Sequence, residues 1–341
     1  MAGGSDRLAG LGLEVGAVAW RCTGLRWGDE GPVLGWRRGG AVRGSAPAYG
    51  AELGFRAVGE RGCVGARGNA CPVEAVVPGR STGARCPECA RLDRAHSVAA
   101  DTIADDPRTY RVYLAWFGPG MVKVGITAEE RGAARLREQG AVVFGWLGRG
   151  PLMACRRTEE VLRAAFGVPD RIPYARKRAV RGVLPGMEGR DEEVAGLYRR
   201  AVALTETGAW PESLERLPFE AVDQVALFGL DGVEAAGGVR WAVTELVAGG
   251  AVGGRLVAVA GPDLHLAVPD RAVSDGAASG GAVADGAMQR GAVPDGVMAG
   301  GVVVLDTRLM TGWELVAADA RGGVDVPVVD LGGGGVQDGL F

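Results

Sequence analysis

The chain has 341 residues, of which 47% are hydrophobic and 23% are charged, and its formal net charge is −3. This length can bury a sizeable core and hold two or three modules, and the 59 glycines and 17 prolines predict many turns. There is no run of about 18 apolar residues, which excludes an ordinary transmembrane helix, and the first residues lack the layout of a signal peptide. We therefore expect a cytoplasmic protein without a membrane partner.

The N-terminal segment, residues 1–62, is rich in glycine and β-prone residues and contains Trp20, Trp27 and Trp36. This composition predicts a small antiparallel sheet. We treat the segment as a β-rich module that ends just before Cys63.

Four of the six cysteines lie within residues 63–107. Cys86 and Cys89 form a CxxC motif, and Cys63 and Cys71 precede it with seven residues between them. Cysteines in a cytoplasmic chain indicate metal or thiol chemistry before disulfides, and four thiolates close a tetrahedral zinc site. We therefore predict a small module held by a structural zinc ion.

The cysteines also allow other interpretations. His96 is an alternative ligand that could replace one of the four. A competing interpretation is a reduced CxxC motif beside two unrelated buried cysteines. Cys22 and Cys155 stand alone in the sequence, and we interpret them as packing residues.

Residues 112–127, VYLAWFGPGMVKVGIT, predict a β-hairpin because apolar residues alternate on both sides of the GPG turn. If the three turn residues form the loop, Tyr113 lies opposite Gly125 and Ala115 lies opposite Lys123. Tyr113 and Lys123 then point to one face, where Gly125 leaves room above the sheet. This arrangement is suited to holding a ligand against a strand pair.

Two helices are predicted after the hairpin. Residues 128–139 are rich in Glu, Arg, Ala and Leu, and Gly140 is well placed to end that helix. Residues 152–166 form the second helix, whose apolar residues recur at helical spacing.

Glu159 falls within the apolar stripe of the second helix, whereas Glu160 points away from it. A carboxylate on an inward face is costly unless it is paired, hydrogen-bonded or bound to a metal. The competing interpretation is a salt bridge from Glu159 to Arg163, four residues further along the helix.

These elements resemble the core of the GIY-YIG nucleases. Residues 112–114 match the first tripeptide of that core, residues 123–125 match the second, and Arg135 and Glu159 match its helix residues. The resemblance covers residues 108–180, about a fifth of the chain.

The fuller pattern is similar to the bacterial and archaeal domain-of-unknown-function family 2797. It consists of YLAxFG, VKVGIT, ARxxEQGA and a TE pair with a leucine three residues beyond the glutamate, followed by Asp170 and Arg176. Members of that family carry cysteines just upstream, which adds weight to the zinc interpretation. This wider resemblance extends over most of the chain and implies no established activity.

The nuclease resemblance implies a role for each matched residue. Glu159 holds one divalent cation, Mg²⁺ or Mn²⁺, Arg135 steadies the scissile phosphate, and Tyr113 helps to activate water. Lys123 stands where the second tripeptide usually has a tyrosine, so the acid/base role at that position stays open. The residues expected to bind phosphate are Gly125, Arg135 and Arg176.

Charge is distributed unevenly along the chain. Residues 121–185 contain 13 Lys and Arg against 6 Asp and Glu, whereas residues 250–341 contain 5 Arg against 11 Asp and Glu. A basic central module fits a polyanion such as nucleic acid, and the competing interpretation is a solvated basic face.

The C-terminal half contains fewer motifs. Residues 186–230 predict a helical connector, with its helix over 189–207, and residues 231–330 predict a β-module. Residues 271–300 repeat a rough GAVxDGxM pattern, which we interpret as a low-complexity insertion in a loop between strands. Residues 331–341 form a glycine-rich tail.

We predict an α+β fold around a GIY-YIG-like core of a hairpin, a further strand and helices, residues 108–185. A zinc-ribbon-like cysteine module precedes it, and β-rich segments flank it. Three functions compete: a zinc-stabilised nucleic-acid-binding protein, a metal-dependent endonuclease, and a catalytically inactive scaffold or interaction protein. The endonuclease would use Tyr113, Lys123, Arg135 and Glu159. We rank nucleic-acid binding first, with phosphodiester cleavage as an additional activity of the same core.

Overall fold

The architecture is taken from a computed structural model of the full chain, which describes residues 18–94, 106–169, 171–204, 208, 210–269 and 300–331. Several sequence predictions fall outside these residues. They are the alternative ligand His96, the motif residue Asp170, nearly all of the insertion 271–300 and the tail after Leu331.

Within the residues that the structure describes, the strands form two sheets. Their bounds are β1 (Trp20–Gly28), β2 (Gly31–Arg38), β3 (Ala41–Ser45), β4 (Glu52–Val58), β5 (Tyr110–Trp116), β6 (Val122–Ala128), β7 (Val143–Gly150), β8 (Glu215–Arg216), β9 (Val222–Asp223), β10 (Val239–Val243), β11 (Ala251–Ala260), β12 (Asp263–Val268), β13 (Gly301–Asp306), β14 (Glu314–Ala317) and β15 (Val328–Asp330).

In the described ranges, the α-helices are short apart from two that flank the smaller sheet. Their bounds are α1 (Pro87–Arg94), α2 (Ala134–Gln139), α3 (Leu152–Phe166), α4 (Tyr174–Val180), α5 (Met187–Ala203), α6 (Val225–Phe228), α7 (Asp231–Ala235) and α8 (Thr307–Met310). The predicted mixed α and β class is confirmed, with the sheets dominant.

The larger sheet has ten strands in the order β15-β10-β13-β12-β11-β4-β14-β1-β2-β3. The N-terminal strands therefore share one sheet with the C-terminal strands, although the sequence suggested two separate β-rich segments. Strand β14 pairs with both β4 and β1. The alternation of apolar residues determines which side chains face the core, but it does not determine which strands pair with each other.

The low-complexity insertion joins two neighbouring strands of this sheet. Strands β12 and β13 pair in antiparallel orientation, and Val268 is the partner of Gly301. The insertion therefore begins and ends at adjacent points, as expected for a loop between strands.

The smaller sheet has the order β6-β5-β7-β8, with β9 also paired to β7. The predicted hairpin register is confirmed, because Tyr113 is opposite Gly125 and Ala115 is opposite Lys123. Strands β8 and β9 come from residues 186–230, so this segment supplies strands to the sheet in addition to helix α5.

The helices of the core differ in how closely they follow the sequence. Helix α3 has the predicted bounds 152–166, and Gly140 ends α2 in a left-handed conformation with φ of 71°. Helix α2 is shorter than predicted because β6 continues to Ala128 and Gly132 adopts a φ of 47°. That conformation suits glycine and interrupts the helix before it can start.

Helices cover both faces of the smaller sheet. On one face, apolar residues of α3 and α5 pack against Val112 and Leu114. On the other face, Leu136 of α2 and Ile172 just before α4 pack against Tyr113 and its neighbours. Helix α2 also contacts β1, so the Tyr113 face lies between the two sheets.

Candidate metal centre and Tyr113 site

The four predicted cysteines form one cluster. The sulfur atoms of Cys63, Cys71, Cys86 and Cys89 all lie within 4.8 Å of one another, and each cysteine is at most 9% exposed. A tetrahedral zinc site with Zn–S bonds of about 2.3 Å requires sulfur atoms about 3.8 Å apart. The distance from Cys71 Sγ to Cys86 Sγ is 4.0 Å. The cluster can therefore hold a metal ion such as zinc.

The local backbone shapes the cluster. Gly65 has φ of 76°, and a Cβ atom there would collide with the carbonyl of Asn69, so only glycine fits this turn. Backbone N–H groups of Gly65 and Cys86 donate hydrogen bonds to Cys63 Sγ at 3.4 and 3.2 Å. Such bonds stabilise thiolate sulfur, as is usual around metal-bound cysteine.

The thiol groups differ in acidity. Backbone hydrogen bonds from Ala75 and Val73 lower the pKa of Cys71 to about 7. Burial, together with the neighbouring cysteines, raises the pKa of Cys89 to about 12. Four thiols this close cannot all ionise unless a cation compensates their charge, so the donor set fits a divalent metal.

Arg61 fastens the cysteine module to the larger sheet, although no sequence motif points to this residue. Its guanidinium is 1% exposed and donates hydrogen bonds to carbonyl oxygens of Pro78 and Ser81 in the module. It also donates to the carbonyls of Arg308 and Thr311, at α8. Burial lowers the pKa of Arg61 to about 10.

Tyr113 lies at the centre of a hydrogen-bonded group. Its side chain is 2% exposed, and its phenol oxygen accepts a bond of 3.0 Å from Gln139 Nε2. The Oε1 atom of Gln139 accepts a bond of 3.2 Å from Lys123 Nζ. A Cβ atom at Gly125 would collide with the Tyr113 ring, so the room expected above Gly125 is filled by that ring.

Arg135 and Glu159 both act electrostatically on the Tyr113 phenol. Burial raises the pKa of Tyr113, the hydrogen bond from Gln139 and the charge of Arg135 lower it, and the charge of Glu159 raises it. The structure therefore brings these two charged residues within electrostatic range of the same hydroxyl group.

The two glutamates of α3 have different environments, as expected. Glu159 is partly buried and Glu160 is exposed. Burial, followed by the nearby charge of Glu159, raises the pKa of Cys155 to about 12. Cys155 is fully buried and its thiol faces the Tyr110 carbonyl at 3.4 Å, consistent with a packing role.

Arg135 and Arg176 are exposed on neighbouring helices. The Arg135 side chain is 47% exposed and lies 3.7 Å from Glu138. Arg176 is exposed on α4, which contacts α2 through a bond of 2.9 Å from Lys177 Nζ to the Gln139 carbonyl. The two arginines thus belong to one helical layer over the Tyr113 face.

Gln139 and Lys177 are site residues that the sequence reasoning missed. Lys177 is 4% exposed, with Nζ 3.9 Å from the ring centroid of Phe117 and 4.6 Å from that of Tyr174. Burial, followed by the charges of Arg181 and Lys123, lowers the pKa of Lys177 to about 7. For Gln139 a signal was available, because it is the glutamine of the ARxxEQGA motif. Its hydrogen bonds to Tyr113 and Lys123 give that glutamine a role in the site.

Part of the basic surplus is neutralised inside the protein. Arg178 donates to Asp263 at 3.0 and 2.6 Å and to Asp306 at 2.7 Å, and Arg181 donates to Asp263 at 2.6 Å. Asp263 is fully buried and Asp306 is 2% exposed. The charge difference between residues 121–185 and 250–341 is therefore partly neutralised by ion pairs between the α4 region and the larger sheet.

One family model matches residues 50–275, which is more than half of the chain, and its description is "Protein of unknown function (DUF2797)". The chain belongs to this family. Neither the curated proteins nor the solved structures gave a match.

The DUF2797 match includes both candidate sites. It begins just before β4 and extends beyond the end of β12, so it contains the four cysteines and the whole smaller sheet. Strands β1–β3 and β13–β15 of the larger sheet lie outside it. In the part of this DUF2797 chain that the structure describes, none of the helices has the length and apolar composition needed to cross a membrane.

Proposed function

We propose that this DUF2797 member is a zinc-stabilised nucleic-acid-binding protein that holds the phosphate backbone on the layer formed by α2 and α4. The observation that carries the proposal is the exposure of Arg135 and Arg176 on these two adjacent helices. Within the described residues, Arg176 has no carboxylate at ion-pair distance. An exposed guanidinium of this kind is suited to paired contacts with phosphate oxygens.

The buried ion pairs strengthen this proposal rather than weaken it. Arg178 and Arg181 are committed to Asp263, so they hold α4 against the larger sheet. Arg176, which lies on the same helix, is thereby presented from a fixed backbone. A preorganised cation loses less entropy on binding than one on a mobile loop.

The test is a binding titration with duplex DNA, single-stranded DNA and RNA at several salt concentrations. Wild type is expected to bind with an affinity that falls steeply with salt. The double variant Arg135→Ala, Arg176→Ala should weaken binding to all sequences and reduce the salt slope by about 2. Arg199→Ala is the matched control, because Arg199 is 62% exposed on α5 over the opposite face. Salt-independent binding, or none, would favour the scaffold hypothesis.

Phosphodiester cleavage by a GIY-YIG-like core is the second candidate function. The observation in its favour is that Arg135 and Glu159 both act on the Tyr113 phenol. Glu159 would hold Mg²⁺ or Mn²⁺, Arg135 would steady the phosphate and Lys123 would stand beside it. A bound divalent cation supplies neutralisation of charge on the phosphate and an acidified water. Tyr113 is 2% exposed, so little of its side chain can contact a substrate. We therefore rank nucleic-acid binding above cleavage.

Two glutamate variants separate cleavage from binding. Glu159→Gln keeps the shape and removes the charge, so divalent-metal-dependent cleavage should be lost while binding is retained. Glu160→Gln, on the exposed side of α3, should change neither. Cleavage by Glu159→Gln at the wild-type rate would reject this candidate. So would the absence of cleavage by wild type on duplex, branched and single-stranded substrates with either metal.

A further inference from the structure

A cleft of about 220 Å³ lies where the helices of the smaller sheet meet the ten-stranded sheet. It is separate from the Tyr113 cluster but shares the end of α2 with it, because Glu138 borders the cleft and Gln139 bonds to Tyr113. Its lining includes Leu25, Trp27, Glu138, Tyr174, Thr307 and Arg308.

Flat side chains form part of the cleft wall and are held in place. The guanidinium carbon of Arg308 lies 4.3 Å from the ring centroid of Tyr174, so the two groups are stacked. The indole N–H of Trp27 donates to the Gly261 carbonyl at 2.8 Å, which fixes the ring at the other side. Rigid planar surfaces of this kind favour a planar ligand.

Two of the residues that line the cleft have unused hydrogen-bonding capacity. Arg308 donates to Asp306 through Nε and Nη2, and its Nη1 makes no hydrogen bond within the described part of the chain. The Thr307 hydroxyl donates to the Pro262 carbonyl, so its oxygen can still accept a bond. One free donor and one free acceptor on a mostly apolar wall are typical of small-ligand sites.

Positive charge lies next to the cleft. Glu138 is paired with Arg131 at 2.8 Å and lies 3.7 Å from Arg135. The cleft therefore borders the helical layer that is proposed to hold phosphates, because Glu138 of α2 and Tyr174 of α4 line it. A ligand that reaches from that layer into the cleft would carry phosphate outside and a planar group inside.

The size of the cleft narrows the class of occupant. Drug-sized ligands occupy sites of roughly 300 to 1,000 Å³, and a cleft of about 220 Å³ is smaller than these. We propose that the cleft takes one unstacked base of a nucleic-acid strand whose phosphates lie on the Arg135 and Arg176 layer. This inference rests on the proposed function.

The test compares two nucleic-acid single strands of equal length. One strand carries bases, including 2-aminopurine, and the other has abasic sites throughout. Both carry the same phosphates, so the ratio of their affinities isolates the base. Wild type should bind the strand with bases at least about fivefold more tightly, the lower limit for stacking of one base. Equal affinity for the two strands would overturn the proposal without any variant.

Two variants locate the effect. Leu25→Trp fills the cleft and should bring the affinity ratio close to one while leaving the salt dependence unchanged. Val42→Trp adds the same side chain on β3, where Val42 is 68% exposed, and should keep the wild-type ratio. An unchanged ratio in folded Leu25→Trp would overturn the proposal. If that variant does not fold, the comparison of the two strands on wild-type protein still tests the proposal.

A titration with adenosine monophosphate tests ligand binding in the cleft independently of the proposed function. Affinity for the mononucleotide equal to that for the strand would assign the cleft to a free nucleotide and overturn the strand assignment. If wild type binds neither strand at any salt concentration, the proposed function fails. Mononucleotide binding that Leu25→Trp abolishes would then assign the cleft to a free nucleotide and overturn the strand assignment, and no mononucleotide binding would overturn the base site altogether.

Discussion

Gln139 donates its side-chain amide hydrogen to the phenol oxygen of Tyr113 at 3.0 Å. Because the phenol oxygen accepts this bond, the phenol hydrogen stays available to a further acceptor. The same carboxamide accepts from Lys123 at 3.2 Å. One glutamine therefore sets the spacing between the two hairpin residues that the resemblance places in the site.

Gln139→Met should raise the pKa of Tyr113, because it removes the hydrogen bond that lowers this pKa and keeps the volume of the side chain. The measurement is a pH titration of the tyrosine ring carbons by NMR, which is practical because the chain has five tyrosines. The Tyr49 phenol, bonded to the Leu227 carbonyl, serves as internal reference. An unchanged Tyr113 titration would show that Gln139 does not influence the phenol.

Asp263→Asn should reduce the free energy of unfolding by about 3 to 5 kcal/mol, because it leaves the buried guanidiniums of Arg178 and Arg181 without full compensation. Urea unfolding monitored by circular dichroism measures the loss. Asp29→Asn is the control, since Asp29 is fully exposed and lies 3.6 Å from Arg137. A loss as small as that of the control would mean that the buried pairs contribute little to stability.

His265 should make the protein sensitive to acid. Burial, followed by the charge of Arg181, lowers the pKa of His265 in the folded protein to about 3, against 6.5 for the ordinary side chain. Between these two values the unfolded chain binds the additional proton. Stability is therefore highest above pH 6.5 and falls as the pH decreases, by up to about 1.4 kcal/mol per pH unit.

Unfolding measurements between pH 5 and 7 test this prediction, because this window includes the upper of the two values for His265 and lies above the ordinary pKa of a carboxyl group. Asp263 contributes separately and at lower pH: burial alone would raise its pKa, but Arg181 and Arg178 hold it at about 2. Its contribution is lost only as the pH falls below about 3.9. His265→Leu should flatten the slope, and His96→Leu is the control because the chain has two histidines. A slope that persists in His265→Leu would contradict the assignment.

Cys89→Ser should lose bound metal and lower the melting temperature, because the energy of binding a structural metal is part of the folding energy. Elemental analysis should find about one zinc ion per wild-type chain and much less in the variant. Cys155→Ser is the control, since that thiol is buried outside the cluster. Wild-type protein that is folded and free of metal would reject the zinc interpretation.

The sequence predicted those features that depend on local pattern. The hairpin register follows from strict alternation on both sides of a GPG turn, and the bounds of α3 follow from helical periodicity. The clustering of the four cysteines was predictable because a CxxC motif supplies two ligands of a tetrahedral metal site and two further cysteines complete it. In each case the residues that specify the feature lie within a short stretch or belong to one distinctive type.

Features that depend on distant partners were not predictable. Arg61 lies in a loop without any motif, and its partners come from 17 to 250 residues away. Lys177 belongs to a cationic run that is typical of a solvated face, yet it is buried because Phe117 and Tyr174 enclose it. The order of the larger sheet has the same cause, since alternation does not specify strand partners.

The position of β14 has a consequence for how the protein is made. Trp20 of β1 pairs with Leu315, and Ala57 of β4 pairs with the same residue of β14 on its other side. Until residues 314–317 have left the ribosome, β1 and β4 lack the strand that joins them. Contacts so distant in sequence slow folding, and open strand edges invite aggregation in the meantime. The sheet is therefore completed only once β14 has emerged, and fragments that end before β14 should depend on chaperones to remain in solution.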